Sequence, residues 1–169
     1  MSTMENRTYD EITIGETAEI VRTVARTDIE LFAAVSGDVN PAHLDDAYAA
    51  GTRFKTVIMH GMWSGAIVSA LLGTRLPGPG TIYLSQSLAF KRPVTIGDTI
   101  TFRATVKEKR DDKKIVVLDC TGTNQDGKVV VEGEAVVMAP TEKIAPQAPA
   151  APTVLIGSGG AAPTPYEPK

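Results

Sequence analysis

At 169 residues and 43% hydrophobic composition, the chain is long enough for one domain with a core of its own. Its net charge of −3 argues against a nucleic-acid surface, and its single cysteine, Cys120, excludes an intrachain disulfide. The N-terminus carries no apolar h-region and no run of about 20 apolar residues occurs, so neither a signal peptide nor a membrane span is expected and a cytoplasmic setting fits.

The folded part is expected over residues 8–140. Residues 18–26 read as a strand. Thr27-Asp28-Ile29-Glu30 has the form of a capping box, with Thr27 capping the backbone and Glu30 reaching back. It predicts a short helix through Val35, with Phe32 and Val35 facing inward, ended by Gly37. Asp45 or Asp46 caps another short helix that stops at Gly51. Residues 60–73 are apolar on nearly every side, which predicts a buried helix. Pro77-Gly78-Pro79-Gly80 then makes a loop. From Thr81 onward the period becomes two. Ile82, Leu84, Gln86, Leu88 and Phe90 share one face of a strand, and Ile100, Phe102, Ala104 and Val106 share a face of the next. Residues 115–123 and 128–138 complete the set, after a turn at 110–113 and around a hairpin signal at Asn124-Gln125-Asp126-Gly127. Cys120 falls inside a strand-like run and reads as a small buried apolar residue. One buried helix ahead of four antiparallel strands predicts an α+β fold, with the sheet curled round the helix. Residues 141–169 hold Pro146, Pro149, Pro152, Pro163, Pro165 and Pro168 among Ala, Gly and Ser, the composition of a disordered tail or a linker.

The candidate chemistry lies in Val35-Ser36-Gly37-Asp38-Val39-Asn40-Pro41-Ala42-His43-Leu44-Asp45. Pro41 has no N–H to donate and pushes Asn40 toward extended backbone, so Asp38 and His43 cannot share one regular helix. A tight loop can still bring both side chains to one point. A carboxylate and an imidazole held there can activate or deliver a water. Taken singly, the same residues are ordinary turn formers. The chain has two histidines, His43 and His60, and one cysteine, without ligand spacing, so no metal site is expected. No nucleotide-binding loop is expected either, since residues 73–80 lack the Lys-Ser/Thr it requires.

Ser36-Gly37-Asp38-Val39-Asn40-Pro41-Ala42-His43, followed by His60-Gly61-Met62, resembles the MaoC-like (R)-specific enoyl-CoA hydratases. Residues 80–90 and 93–98 are similar to that family too, and the resemblance spans roughly residues 10–140. Ala42 departs from it, since a larger aliphatic residue is more usual there. The resemblance implies a hot-dog fold, an antiparallel sheet wrapped around a long central helix, and a homodimer or higher oligomer joined at its sheet edges. It implies reversible syn addition of water to a trans-2-enoyl-CoA, giving an (R)-3-hydroxyacyl-CoA of use in polyhydroxyalkanoate synthesis. No separate cofactor is expected, because coenzyme A is part of the substrate.

On this resemblance Asp38 and His43 form the catalytic pair, with His43 the natural base. Gly61 matches the position whose N–H stabilises the thioester oxyanion, although a glycine there can also serve only close helix packing. Ser69 follows Gly61 and Gly65 at spacings of four and is a second substrate-binding candidate, or a serine bonded to its own helix. Ser64 lies off that face. His60 reads as a positioning residue. Met62, Trp63, Ile67 and Leu71 line an acyl pocket or simply form core. Lys91 and Arg92 are either contacts for coenzyme A phosphates or solvated charge. Two other functions compete: a hot-dog thioesterase, and a non-catalytic acyl-CoA-binding or dimerising module of an acyltransferase fusion.

Overall fold

The structure, a computed structural model, describes residues 3–157 and 162–168; residues 158–161 and 169 of the expected tail lie outside the described residues. Strand β1 (Thr17–Thr23) leads into helices α1 (Arg26–Ser36), α2 (Pro41–Leu44), α3 (Asp46–Gly51) and α4 (Gly61–Thr74). Strands β2 (Ile82–Gln86), β3 (Ala89–Phe90), β4 (Thr99–Arg110), β5 (Ile115–Thr123) and β6 (Val129–Met138) follow. The sheet is antiparallel in the order β1-β4-β5-β6-β2, with β3 also paired to β6. It packs its inner face on α4, the α+β hot-dog arrangement.

Period-two patterning puts Ile100, Phe102, Ala104 and Val106 on the buried face of β4, all at most 1% exposed. They meet Trp63, Ile67, Val68, Leu71 and Leu72 of α4 in one apolar cluster. Phe102 stands opposite Gly122 of β5, and the Trp63 indole meets the Phe102 ring edge-on at 5.7 Å. Cys120 is buried in the same cluster, and burial pushes its thiol up to about 11. The hairpin at residues 124–127 forms, with Gly127 in the left-handed region.

Several expectations need correction. Helix α1 starts at Arg26, not after Thr27: Ala25 is the capping position, and the Asp28 carboxylate accepts its N–H at 2.7 Å. Asp28, two residues closer to that N–H than Glu30, makes the bond back to the cap. Glu30 instead pairs with Arg26 at 3.5 Å. Val35 is 78% exposed, and the inward face of α1 is Ile29, Phe32 and Ala33. The expected single strand at 82–90 is divided by a bulge at Tyr83/Ser85 and a break before Ala89. Helix α4 is not buried all round. One chain's sheet covers Trp63, Ser64, Ile67, Val68, Leu71 and Leu72, while Met62, Ala66, Ser69 and Ala70 face outward.

The segment after residue 140, expected as a disordered tail or linker, makes defined contacts. The buried Asn6 side chain donates to the Glu142 carbonyl and accepts the Ile144 N–H. Strands β7 (Leu155–Ile156) and β8 (Thr164–Pro165) pair, and the Tyr166 hydroxyl donates to the carboxylate of Asp28.

Candidate active site

The loop between α1 and α2 is built from short-range bonds its residue types dictate. Gly37 takes a left-handed φ of 75° and closes α1 by donating its N–H to the Ala33 carbonyl. Ser36 Oγ donates to the Phe32 carbonyl at 2.6 Å and accepts the Asp38 N–H at 3.2 Å. Asp38 accepts the Asn40 N–H, and Asn40 accepts the Ala42 N–H as the cap of α2, with Pro41 at its first position.

A second strand of chain locks this loop from below. The Ile58 N–H donates to the Ala42 carbonyl at 3.2 Å. His43 Nδ1 lies 2.7 Å from the Ile58 carbonyl, and His60 Nε2 lies 2.9 Å from the Asp38 carbonyl. A carbonyl only accepts, so each of these nitrogens carries the proton. In the neutral ring His43 Nε2 is then the bare nitrogen, the tautomer a general base requires, and it stands 4.0 Å from Asp38 Oδ2. That gap is too long for a direct hydrogen bond. A water about 2.8 Å from each atom would see them at roughly a right angle, well suited to bonding both.

His60 is 2% exposed, and its ring stacks on His43 with centroids 3.8 Å apart. Burial lowers its pKa; the bond to the Asp38 carbonyl opposes the shift, and neighbouring His43 adds to it. His60 is thus held neutral, and among the described residues its Nδ1 has no partner, as befits the bare nitrogen of that tautomer. A proton arriving on His43 then meets no second positive charge. Asp38, His43 and His60 each bring one ligand-type atom within 4.8 Å of the others. The bonds to Ile58 and Asp38 occupy two imidazole nitrogens, and His60 Nδ1 is sealed in. One carboxylate and one nitrogen remain free, fewer than the three protein ligands of a catalytic zinc.

A cavity of about 240 Å³ opens beside His60, with Met59, His60, Gly61 and Ser64 on one side and Phe90 and Val94 on the other. Gly61 is the first residue of α4, where N–H groups have no intrahelical acceptor. Of the expected site residues, Asp38 and His43 come together, and Gly61 joins them through His60. Asp38 keeps a half-exposed carboxylate, and neither it nor His43 lines this cavity. Ser69 is exposed and does not line it. Trp63, Ile67 and Leu71 are core, and Met62 is 59% exposed. Ser64, set aside from the sequence, is buried and faces the cavity. Its spacing of three from Gly61, at the opening of the helix, is the signal that identifies it.

Residues 11–126 match the family model described as MaoC like domain. The chain is 52% identical over 132 residues to an (R)-specific enoyl-CoA hydratase of Rhodospirillum rubrum, covering 78% of this chain and 91% of that protein. Among solved structures, the R-hydratase PhaJ1 of Pseudomonas aeruginosa, unliganded, superposes with a TM-score of 0.89 at 50% identity, covering 92% of this chain and all of that one. An (R)-hydratase of A. caviae described as involved in PHA biosynthesis superposes with a TM-score of 0.74 at 44% identity, covering 76% and 98%.

Proposed function

Because the chain belongs to the MaoC-like domain family, we propose that it is an (R)-specific enoyl-CoA hydratase, adding water reversibly to trans-2-enoyl-CoA to give (R)-3-hydroxyacyl-CoA. The observation that carries the mechanism is the pairing of a bare His43 Nε2 with Asp38 Oδ2 across a water-sized gap of 4.0 Å. His43 takes a proton from that water as its oxygen bonds to the β-carbon. Asp38 orients the water and helps return that same proton to the α-carbon on the same face, which leaves His43 neutral again and makes the addition syn. The thioester oxygen gains negative charge meanwhile, and the donor that receives it is the Gly61 N–H, a reading supported by its position at the head of α4.

The same reading includes a homodimer. The free edge at β2 and β3 exposes Ile82, Leu84 and Phe90, each at least half exposed, and Met62 stands out of α4. An uncovered apolar edge strand calls for a partner. A half-open carboxylate at Asp38 fits a site that a second copy walls in.

Purified protein mixed with crotonyl-CoA should lose enoyl absorbance without releasing free thiol. Thiol release would instead identify a thioesterase, and binding without either signal a non-catalytic module. Asp38→Asn and His43→Ala should each lower kcat by about 100-fold or more while leaving the fold intact. Near-normal turnover in either variant would remove that residue from the mechanism.

A further inference from the structure

Ser64 is 4% exposed and lines the cavity that Gly61 also lines, yet its hydroxyl makes no hydrogen bond among the described residues. Ser36 and Thr74, also in helices, each donate to the carbonyl four residues back at 2.6 Å. The corresponding acceptor for Ser64 is the His60 carbonyl, which instead takes the Trp63 N–H at 3.1 Å. The other unbonded acceptor here, His60 Nδ1, is sealed in and bonds to nothing, Ser64 included. A buried hydroxyl without a partner is costly, so its acceptor must come from outside the chain.

The helix fixes where that hydroxyl points. Each Cα–Cβ bond in an α-helix tilts toward the N-terminus, and residues three apart share a face. The Ser64 side chain therefore leans along α4 toward Gly61, whose N–H has no acceptor among the described residues. Gly61 puts no side chain between them, and the Phe90 ring closes over it, 3.1 Å from where a Cβ would stand. Met59, Phe90, Pro93, Val94 and Val130 make the adjoining wall apolar. Two donors thus face one space lined largely by carbon, where a hydrogen bond to developing charge is stronger than in water.

We propose that the Ser64 hydroxyl is a second donor to the thioester oxygen, acting beside the Gly61 N–H on the negative charge that develops as water adds. This rests on the hydratase reading of the same site. Ser64 keeps its proton throughout: it donates a hydrogen bond, and the charge it stabilises is discharged when the α-carbon is protonated.

Ser64→Ala removes the hydroxyl and adds nothing to the space. Its kcat for crotonyl-CoA should fall about tenfold or more, with KM little changed. Ser64→Thr should keep most of the wild-type rate, and Ser64→Val, the same shape without the hydroxyl, should not. A Ser64→Ala or Ser64→Val enzyme at the wild-type rate overturns the proposal. Butyryl-CoA, isotopically labelled at the thioester carbonyl carbon, has no double bond to hydrate and reports the contact directly. Its carbonyl stretch when bound should lie at lower frequency in the wild type than in Ser64→Ala, because each hydrogen bond weakens the C=O bond. Equal frequencies overturn the donor even where kcat has fallen, and leave Ser64 a packing residue. A wild type that shows the Ser64-dependent shift yet leaves crotonyl-CoA unhydrated supports the donor and instead defeats the hydratase reading.

Discussion

Gly61 can be tested at a single atom, its amide proton. The residue before it, His60, has φ −57° and ψ 131°, a conformation a following proline accepts, and Gly61 is the first residue of α4, where proline is well tolerated. Gly61→Pro thus removes the N–H while leaving the helix start in place. A Cβ at this position lies 3.1 Å from the Phe90 ring, a half-exposed side chain able to shift. Gly61→Ala adds the same carbon and keeps the N–H, so it measures the crowding alone. If the N–H receives the oxyanion, kcat for Gly61→Pro should fall about 100-fold below that of Gly61→Ala. Equal rates in the two variants would reduce Gly61 to a packing residue. His60 admits a separate test. His60→Phe keeps a ring against His43 and loses the donor to the Asp38 carbonyl; His60→Gln restores a donor. Turnover should fall about tenfold in the first with little change in KM, and recover in part in the second. The lowered pKa of His60 also sets a pH dependence. The unfolded chain binds a proton below the ordinary value of 6.5 that the native state refuses, so stability is complete above 6.5 and falls as pH drops below it. Urea midpoints at pH 7.5 and 5.5 should differ less in His60→Phe than in the wild type.

Among the elements, the crossing of the segment between β2 and β3 over β6 depends on one missing side chain. A Cβ built on Gly133 would lie 1.8 Å from the Ser87 carbonyl oxygen and 3.2 Å from the Leu88 Cα, both backbone atoms. The Ser87 N–H bonds the Glu134 carbonyl, and Ser87 Oγ accepts the Glu134 N–H, so the crossing is fixed at that distance. Gly133→Ala must lift this segment, and Leu88 and Phe90 go with it. Those two side chains lie against Gly65 and Gly61 of α4, so the displacement reaches the site. The expected cost is about 3 kcal/mol in urea denaturation, with a raised KM for crotonyl-CoA. A variant as stable as the wild type would show that the crossing yields freely. None of this was visible in the sequence. Strict alternation from Ile82 to Phe90 reads as one strand, because periodicity reports which residues face one way and is blind to a backbone passing overhead. The core strands were legible for the complementary reason: β4 and β5 are paired on both edges, so alternation alone decides their buried face. The loop that carries Asp38 and His43 was legible in its outline, since Gly37, Asn40 and Pro41 each have few conformations open to them. The bonds to Ile58 and Asp38 that set both imidazole tautomers join residues 15 and 22 apart, and no local pattern encodes them.

For the molecule as a whole, the sequence's apolar residues outnumber the positions one chain can bury. The sequence of α4 predicts an enclosed helix because nearly every side is apolar, yet a single sheet covers it on one side and leaves Met62, Ala66 and Ala70 outside. Ile82, Leu84 and Phe90 continue this surface along the free sheet edge. A symmetric partner placed there would cover both together, and each residue of the contact would count twice. Leu84 is the place to probe this. It is already half exposed in one chain, so Leu84→Lys should leave the monomer folded. In a two-fold edge pairing the same change sets two charges into one apolar contact, which carries a large desolvation penalty. Light scattering after size exclusion should then report a mass near 18 kDa, the value for one 17.9 kDa chain, where the wild type reports about twice that. Hydratase activity should fall with the dimer, because the open side of Asp38 would lose its covering wall while Asp38 and His43 remain intact. A Leu84→Lys protein that runs as a fully active dimer would place the contact elsewhere on the surface, and one that runs as a fully active monomer would show that the site is complete within a single chain.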